Sequence, residues 1–314
     1  MLITLLFLLA GLAFLYIGGE ALVWAACALA RRLGVSPLTI GLTVVAFGTS
    51  MPELVVSLDA ASSGANDISL GNVVGSNIAN ITLILGLAAL IAPTTCDTKI
   101  IRLDGPVMIA ASLLLLLALA NGVMTRIEGG LFLAGVVIFT VFTFWYTRNT
   151  GAAVTSPADI DASLAVSRPW KMTAQICIGL ILLIAGGHLV VEAAVEIAST
   201  LGMSQAVIGL TIVAVGTSLP ELSTSIIAAT RRQGDIAIGN VVGSNIFNIL
   251  GILGVTSMVT PLQMGGITWL DLWLMVAVAL ALTLLLYVRQ YLRRPEGSVL
   301  LAGFIAYTTW LIVS

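Results

Sequence analysis

The sequence predicts an all-α membrane protein, with about ten transmembrane helices arranged as two inverted five-helix repeats. Three observations carry this prediction. Of 314 residues, 59% are hydrophobic and 9% charged, and mean hydropathy is +1.11, whereas soluble domains carry roughly a quarter charged residues. Apolar stretches of spanning length recur from one end of the chain to the other. Motifs of the first half return in the second at a constant spacing, with Gly48 aligned to Gly216.

A chain this apolar cannot cover a water-facing surface, so its first partner is the lipid bilayer. The net charge of -2 offers no footprint for nucleic acid. A single histidine, His188, excludes a multi-histidine metal site, and Cys27, Cys96 and Cys177 form neither a CxxC pair nor a disulfide framework. Met1 to Tyr16 contains no Lys or Arg, so the first apolar segment reads as a retained helix, not a signal peptide.

Spanning stretches are expected at 2–30, 35–62, 68–92, 103–121, 128–147, 170–199, 205–230, 236–261, 267–288 and 297–313. The polar stretch from Arg148 to Lys171 separates the two sets of five. The organisation predicted is therefore a first repeat over 1–147, a linker over 148–169 and a second repeat over 170–314. With the N-terminus outside, every Lys and Arg except Arg126 falls on the inner side. The positive-inside bias thus places both termini outside and the linker in the cytoplasm, in the inner (plasma) membrane.

The repeat is explicit. GLTVVAFGTSMPELVVSLDAA from Gly41 returns as GLTIVAVGTSLPELSTSIIAA from Gly209, and DISLGNVVGSNIANITLILG from Asp67 returns as DIAIGNVVGSNIFNILGILG from Asp235. Roughly two-thirds of positions match between Ile40 and Gly86, without a gap. Five spans per repeat is an odd number, so the second copy enters the membrane in the opposite sense. Inverted repeats of this kind are a common architecture of secondary transporters.

The repeated motifs carry carboxylates into the membrane. Glu53 and Glu221 each follow Gly-Thr-Ser-X-Pro, near the middle of the second and seventh spans. A carboxylate at that depth costs about 2.5–3.5 kcal/mol on insertion scales, and no basic residue lies at the same depth. A bound cation or proton is the remaining compensation. Pro52 and Pro220 cannot donate to the carbonyls of Gly48 and Gly216, which frees backbone oxygen. Thr49, Ser50, Thr217 and Ser218 add hydroxyls. Ser76 and Asn80 stand four apart on one helix face, as do Ser244 and Asn248. An all-oxygen set suits hard cations; Ca²⁺ takes 6–8 oxygens, and thiolate or imidazole ligands for softer metals are missing. Gly71 and Gly75 read as helix-packing residues.

GTSMPE and GTSLPE, each followed by GNVVGSNI, resemble the two alpha-repeats of the sodium/calcium exchanger superfamily, the cation/calcium antiporters. The resemblance covers both halves. It implies that spans 2, 3, 7 and 8 build ion sites at the membrane centre, while spans 1 and 6 are long, tilted and slide to switch access. It further implies that Glu53 and Glu221 are the central calcium ligands, that Thr49, Ser50, Ser76 and Asn80 serve from one half and Thr217, Ser218, Ser244 and Asn248 from the other, and that the carbonyls of Ala46 and Ala214 complete the sodium sites. Several relatives carry Asp where this chain has Asn248, so here only two formal charges are present at the site.

Four further residues stand near the pathway in sequence: Asp59, two turns beyond Glu53; Glu20 and Glu192, close to the Gly18-Gly19 and Gly186-Gly187 pairs, as residues lining a vestibule; and His188 as a pH-responsive group. The expected function is exchange of Ca²⁺ for Na⁺ by alternating access, in the direction of calcium efflux, with no enzymatic activity and no cofactor. An H⁺/Ca²⁺ antiporter on the same fold is the nearest alternative, and a cation channel is a more distant one.

Overall fold

The computed structural model describes residues 2–150, 169–201 and 214–313. The first half consists of α1 (Leu2–Leu33), α2 (Pro37–Thr49), α3 (Met51–Ser62), α4 (Asn66–Ile91), α5 (Ile100–Ala118) and α6 (Arg126–Asn149). The second half consists of α7 (Pro169–Thr200), a turn of helix at Ala214–Gly216, α8 (Leu219–Thr230), α9 (Gly234–Val259), α10 (Trp269–Arg289) and α11 (Arg294–Val313). The expected spans are helical over nearly all of their described residues. The linker between Gly151 and Arg168, and the first part of the seventh span, lie outside the described residues. Among those that are described, seven helices and the bent pair α2–α3 have the length and hydropathy a bilayer demands.

Two departures from the expected spans shape the centre. The second span is not one helix: it breaks at Ser50, with a 43° bend between α2 and α3. Ser50 has φ -84° and ψ 10°, and Ser218, before α8, has φ -90° and ψ 8°. Both occupy the sparsely allowed bridge between the helical and extended regions, and both precede a proline in the first turn of the next helix. The second departure is a wide π turn at matched positions, Asn80–Ile84 in α4 and Phe247–Ile252 in α9. Such insertions shift the register of the side chains that follow and recur at functional sites.

Two short antiparallel ladders tie the halves together. β1 (Thr94–Thr95) pairs with β4 (Tyr291–Leu292), and β2 (Val123–Met124) pairs with β3 (Leu262–Gln263). The spacing of 168 carries β1 onto β3 and β2 onto β4, so one ladder is the image of the other. α5, about 28 Å long at 1.5 Å per residue, runs from β1 to β2 and puts the ladders on opposite faces. Oppositely oriented copies require this arrangement.

Burial sorts the helices into layers. In α9, 94% of the most apolar stretch is buried, against 22% in α7. α4 and α9 form the core, while α1, α6 and α7 turn Leu2, Leu6, Leu9, Ile138 and Ile181 outward toward lipid. Gly239 and Gly243 of α9 lie against the backbone of Leu38 and Leu42 in α2. The equivalent partners of Gly71 and Gly75 are residues 206 and 210, outside the described residues.

α1 and α7 have 32 residues each, about 48 Å of helix, and so exceed the hydrocarbon thickness of about 30 Å and must tilt. They cross antiparallel at four glycines. A Cβ on Gly18 would stand 2.8 Å from the carbonyl oxygen of Gly179, and one on Gly11 would stand 2.9 Å from that of Gly186. Only glycine allows backbones so close. α7 also lies over both helix breaks, with Leu180 against Gly48 and Val191 against Gly216. α1 meets α8, where the Ser223 hydroxyl donates to the Leu15 carbonyl at 2.8 Å.

Candidate functional site

The helix breaks at Ser50 and Ser218 fall just before the two glutamates. Glu53 and Glu221 occupy the first turns of α3 and α8, where unpaired backbone N–H groups and the helix dipole favour a negative charge. Both side chains are buried, each residue 1% exposed.

The two halves exchange hydrogen bonds at this level. Ser50 Oγ donates to Glu221 Oε1 at 2.9 Å, and Ser218 Oγ donates to Glu53 Oε1 at 3.0 Å. Ser218 Oγ also lies 3.3 Å from Ser76 Oγ, which brings α4 to the same point. Ser50 stands three residues before Glu53 and Ser218 three before Glu221, so the two bonds interlock. Glu53, Glu221, Ser50, Ser218 and Ser76 therefore form one buried cluster built from both copies.

A second shell fixes the breaks. Asn72 Nδ2 donates to the Glu53 carbonyl at 3.1 Å and to Ser57 Oγ at 3.0 Å, and its Oδ1 accepts from the Thr217 hydroxyl at 3.4 Å. Asn240 repeats this with the Glu221 carbonyl at 3.4 Å and Ser225 Oγ at 3.0 Å, accepting from Thr49 at 3.2 Å. Sequence reading missed Asn72 and Asn240, although a signal existed: Asn72, Ser76 and Asn80 step by four along one face, as do Asn240, Ser244 and Asn248.

Asn80 and Asn248 lie on that face one turn further, both 1% exposed. Their amide nitrogens are committed across the midline, Asn80 Nδ2 to Asn245 Oδ1 at 2.9 Å and Asn248 Nδ2 to Asn77 Oδ1 at 3.0 Å. Asn77 and Asn245 carried no signal in the sequence, since they fall off the face that Ser76 and Ser244 define.

Among the described residues, four acceptor oxygens at this centre are buried without a hydrogen-bond donor: Glu53 Oε2, Glu221 Oε2, Asn80 Oδ1 and Asn248 Oδ1. Ser244 Oγ, fully buried, is likewise without a partner. Buried polar atoms are rarely left this way. A set of oxygens that can only accept, drawn equally from two copies, is what a cation would satisfy. Two carboxylates match the charge of one divalent ion.

Other expected residues are placed differently. The Ala46 carbonyl accepts from Ser50 N–H at 3.1 Å and from the Thr49 hydroxyl at 3.4 Å, so it is engaged within its own helix. In the second half the Ser218 N–H donates to the Val215 carbonyl at 3.1 Å. Asp59 is exposed beyond the cluster. Glu20 pairs with Arg231 at 2.8 Å. His188 and Glu192 pair with each other at 3.2 Å on the exposed face of α7, with side chains 71% and 52% exposed.

Comparison with known proteins matches both halves. A family model described as sodium/calcium exchanger protein fits residues 3–145 and again residues 171–313. The putative antiporter CaxA of Alkalimonas amylolytica is 41% identical over 319 residues, spanning 100% of each chain. The sodium/calcium exchanger MaX1 of Methanosarcina acetivorans is 34% identical over 341 residues, spanning 97% of each. A solved structure of the sodium-calcium exchanger NCX_Mj, soaked with zero Na⁺ and Ca²⁺, superposes with a TM-score of 0.81 at 33% identity and covers 99% of each chain. This inverted-repeat protein, with paired carboxylates at its centre, belongs to the sodium/calcium exchanger protein family.

Proposed function

We propose that this chain is a secondary antiporter that exchanges Ca²⁺ for Na⁺ through the cluster of Glu53 and Glu221, with Ser50, Ser218, Ser76, Ser244, Asn80, Asn248, Thr49 and Thr217 as oxygen ligands or their immediate supports. The observation that carries this reading is the set of donorless acceptors from both halves. Calcium and the counter-ion compete for one group of oxygens. The site crosses the apolar barrier only when its carboxylates are neutralised, because an ionised pair without a cation is costly there. This couples the two fluxes and suppresses leak. An inward sodium gradient drives calcium efflux, and each net positive charge entering with Na⁺ adds about 2.3 kcal/mol per 100 mV of inside-negative potential.

Access alternates as α1 and α7 shift along their glycine crossing, since α7 lies over both breaks and α1 packs against α8. The face bearing Arg31, Lys99, Arg231 and Arg289 is cytoplasmic by the positive-inside bias, which puts both termini outside the plasma membrane. A proton-coupled exchange keeps the same residues, because two carboxylates that bind one Ca²⁺ also bind two protons. The matched family is one of exchangers, and we assign no enzymatic activity.

The test is calcium uptake into proteoliposomes under imposed Na⁺, K⁺ or H⁺ gradients, one at a time. Uptake driven by outward Na⁺ at clamped pH, and lost in E53Q and E221Q, is the expected result. Full uptake in both variants would remove the carboxylates from the mechanism.

A further inference from the structure

We propose that Asn77 and Asn245 are positioning residues that set the polarity of the ion site: each holds the asparagine of the opposite half with its oxygen turned toward the ion, and thereby demands a hydrogen-bond donor at positions 248 and 80. The proposal rests on the reading above that Asn80 and Asn248 serve the cation.

The orientation of all four amides follows from two atoms that cannot be reversed. Backbone carbonyls only accept. Asn77 Nδ2 donates to the Asn245 carbonyl at 3.2 Å, and Asn245 Nδ2 donates to the Asn77 carbonyl at 3.1 Å. Two thioethers, also acceptors, reinforce the choice: Met275 Sδ lies 3.8 Å from Asn77 Nδ2, and Met108 Sδ lies 3.7 Å from Asn245 Nδ2. Turning either amide over would set its oxygen against a carbonyl and a sulfur. With the nitrogens fixed, Asn77 Oδ1 and Asn245 Oδ1 face the other way, as acceptors for Asn248 Nδ2 and Asn80 Nδ2. Asn80 Oδ1 and Asn248 Oδ1 are then left as the ends of the hydrogen-bond chain, buried and, among the described residues, without a donor. All four residues are 1% exposed, so water offers no alternative partner.

This arrangement sets the charge of the site. An ionised carboxylate at 248 would meet the Asn77 oxygen acceptor to acceptor; only a protonated acid supplies the hydrogen that the Asn248 amide supplies now. Asn77 and Asn245 thereby hold the centre at two formal charges, and each half determines the ligand of the other.

The experiment uses purified full-length protein in proteoliposomes. N77A and N245A are expected to raise half-saturating Ca²⁺ by about 10–100-fold, as loss of an outer-shell partner does, while maximal exchange per folded protein changes far less. N248D with Asn77 intact is expected to exchange with the same charge moved per Ca²⁺ as wild type, read from the reversal potential. The Ca²⁺-saturated variant should also show an added protonated-carboxyl carbonyl band in its infrared spectrum. The double variant N77A/N248D is expected to lose that band and shift the reversal potential. A shifted reversal potential in N248D alone, or unchanged half-saturation in N77A and N245A, overturns the proposal. Where N77A does not purify as folded protein, N248D decides, because it leaves Asn77 in place. Loss of flux in E53Q and E221Q together with a shifted potential in N248D would remove only the orienting role. Retained flux in those two variants would remove the site itself.

Discussion

Ser50 and Glu221 come from opposite copies of the repeat, and the Ser50 hydroxyl donates to a Glu221 carboxylate oxygen at 2.9 Å. Neither half can complete its own carboxylate. The hydroxyl that steadies each acid sits at the helix break of the other half, so the breaks and the acids are positioned together.

Removing that hydroxyl should therefore be felt at the ion. A hydrogen bond to a charged group contributes about 1.5–3 kcal/mol, which is about 10–100-fold in affinity. S50A and S218A are expected to raise half-saturating Ca²⁺ by that order in flux assays, whereas S50T, which keeps the hydroxyl, stays close to wild type. Equal affinities in the alanine and threonine variants would show that the hydroxyl hydrogen bond does not matter.

The α1–α7 crossing predicts a defect of a different kind. A Cβ on Gly18 meets the Gly179 carbonyl oxygen at 2.8 Å, and one on Gly186 meets that of Gly11 at 2.8 Å. Forcing side chains into packed backbone costs about 1–3 kcal/mol. G18V and G186V should lower the maximal exchange rate and the thermal midpoint, with half-saturating Ca²⁺ little changed, since the crossing does not touch the carboxylates.

Glu20 and Arg231 join α1 to the end of α8, with the Arg231 Nε donating to Glu20 Oε1 at 2.9 Å. The pair has no image in the other half, where His188 and Ser63 take the matched positions. If α1 moves against α8 during exchange, the pair must open. E20Q and R231Q are then expected to raise the exchange rate at saturating Ca²⁺, and the swap E20R/R231E to restore it. An unchanged rate in both single variants would show that the pair stays closed throughout the cycle.

Lys99 gives a pH prediction. Burial at the end of the loop before α5 pulls its ammonium below the ordinary value of 10.5, and Asp104, 3.7 Å away, opposes that shift. Between the lowered value and 10.5 the unfolded chain binds more protons than the folded one, so stability rises with pH across that window. The thermal midpoint of the wild-type protein should climb on going from neutral to alkaline buffer. K99M should flatten the slope, and D104N, which removes the opposing attraction, should steepen it.

Much of this site was legible before any coordinates. Glu53 and Glu221 were marked by their depth in apolar sequence, and Ser76 with Asn80 by their spacing of four. Asn72 and Asn240 belonged to the same stepping face and were overlooked. Glu20 was marked by its place beside a glycine pair, but proximity along a helix does not say which way a side chain turns, and its bond to Arg231 was not legible. The helix breaks were half visible: Pro52 and Pro220 announced a disturbed helix but not that the chain would turn at Ser50 and Ser218.

The sequence by itself determined a lipid-embedded helical chain, two copies of one motif, and, through the odd number of spans, their opposed orientation. These follow from hydropathy, periodicity and repeat spacing, which are properties of single helices and of their order. Only the tertiary structure decided which copy completes which acid, and which end of each central amide is bonded across the midline. Those bonds join residues 165 to 171 positions apart. Their geometry exists only once α4 and α9 have docked and the backbone carbonyls of Asn77 and Asn245 have imposed their one-way polarity.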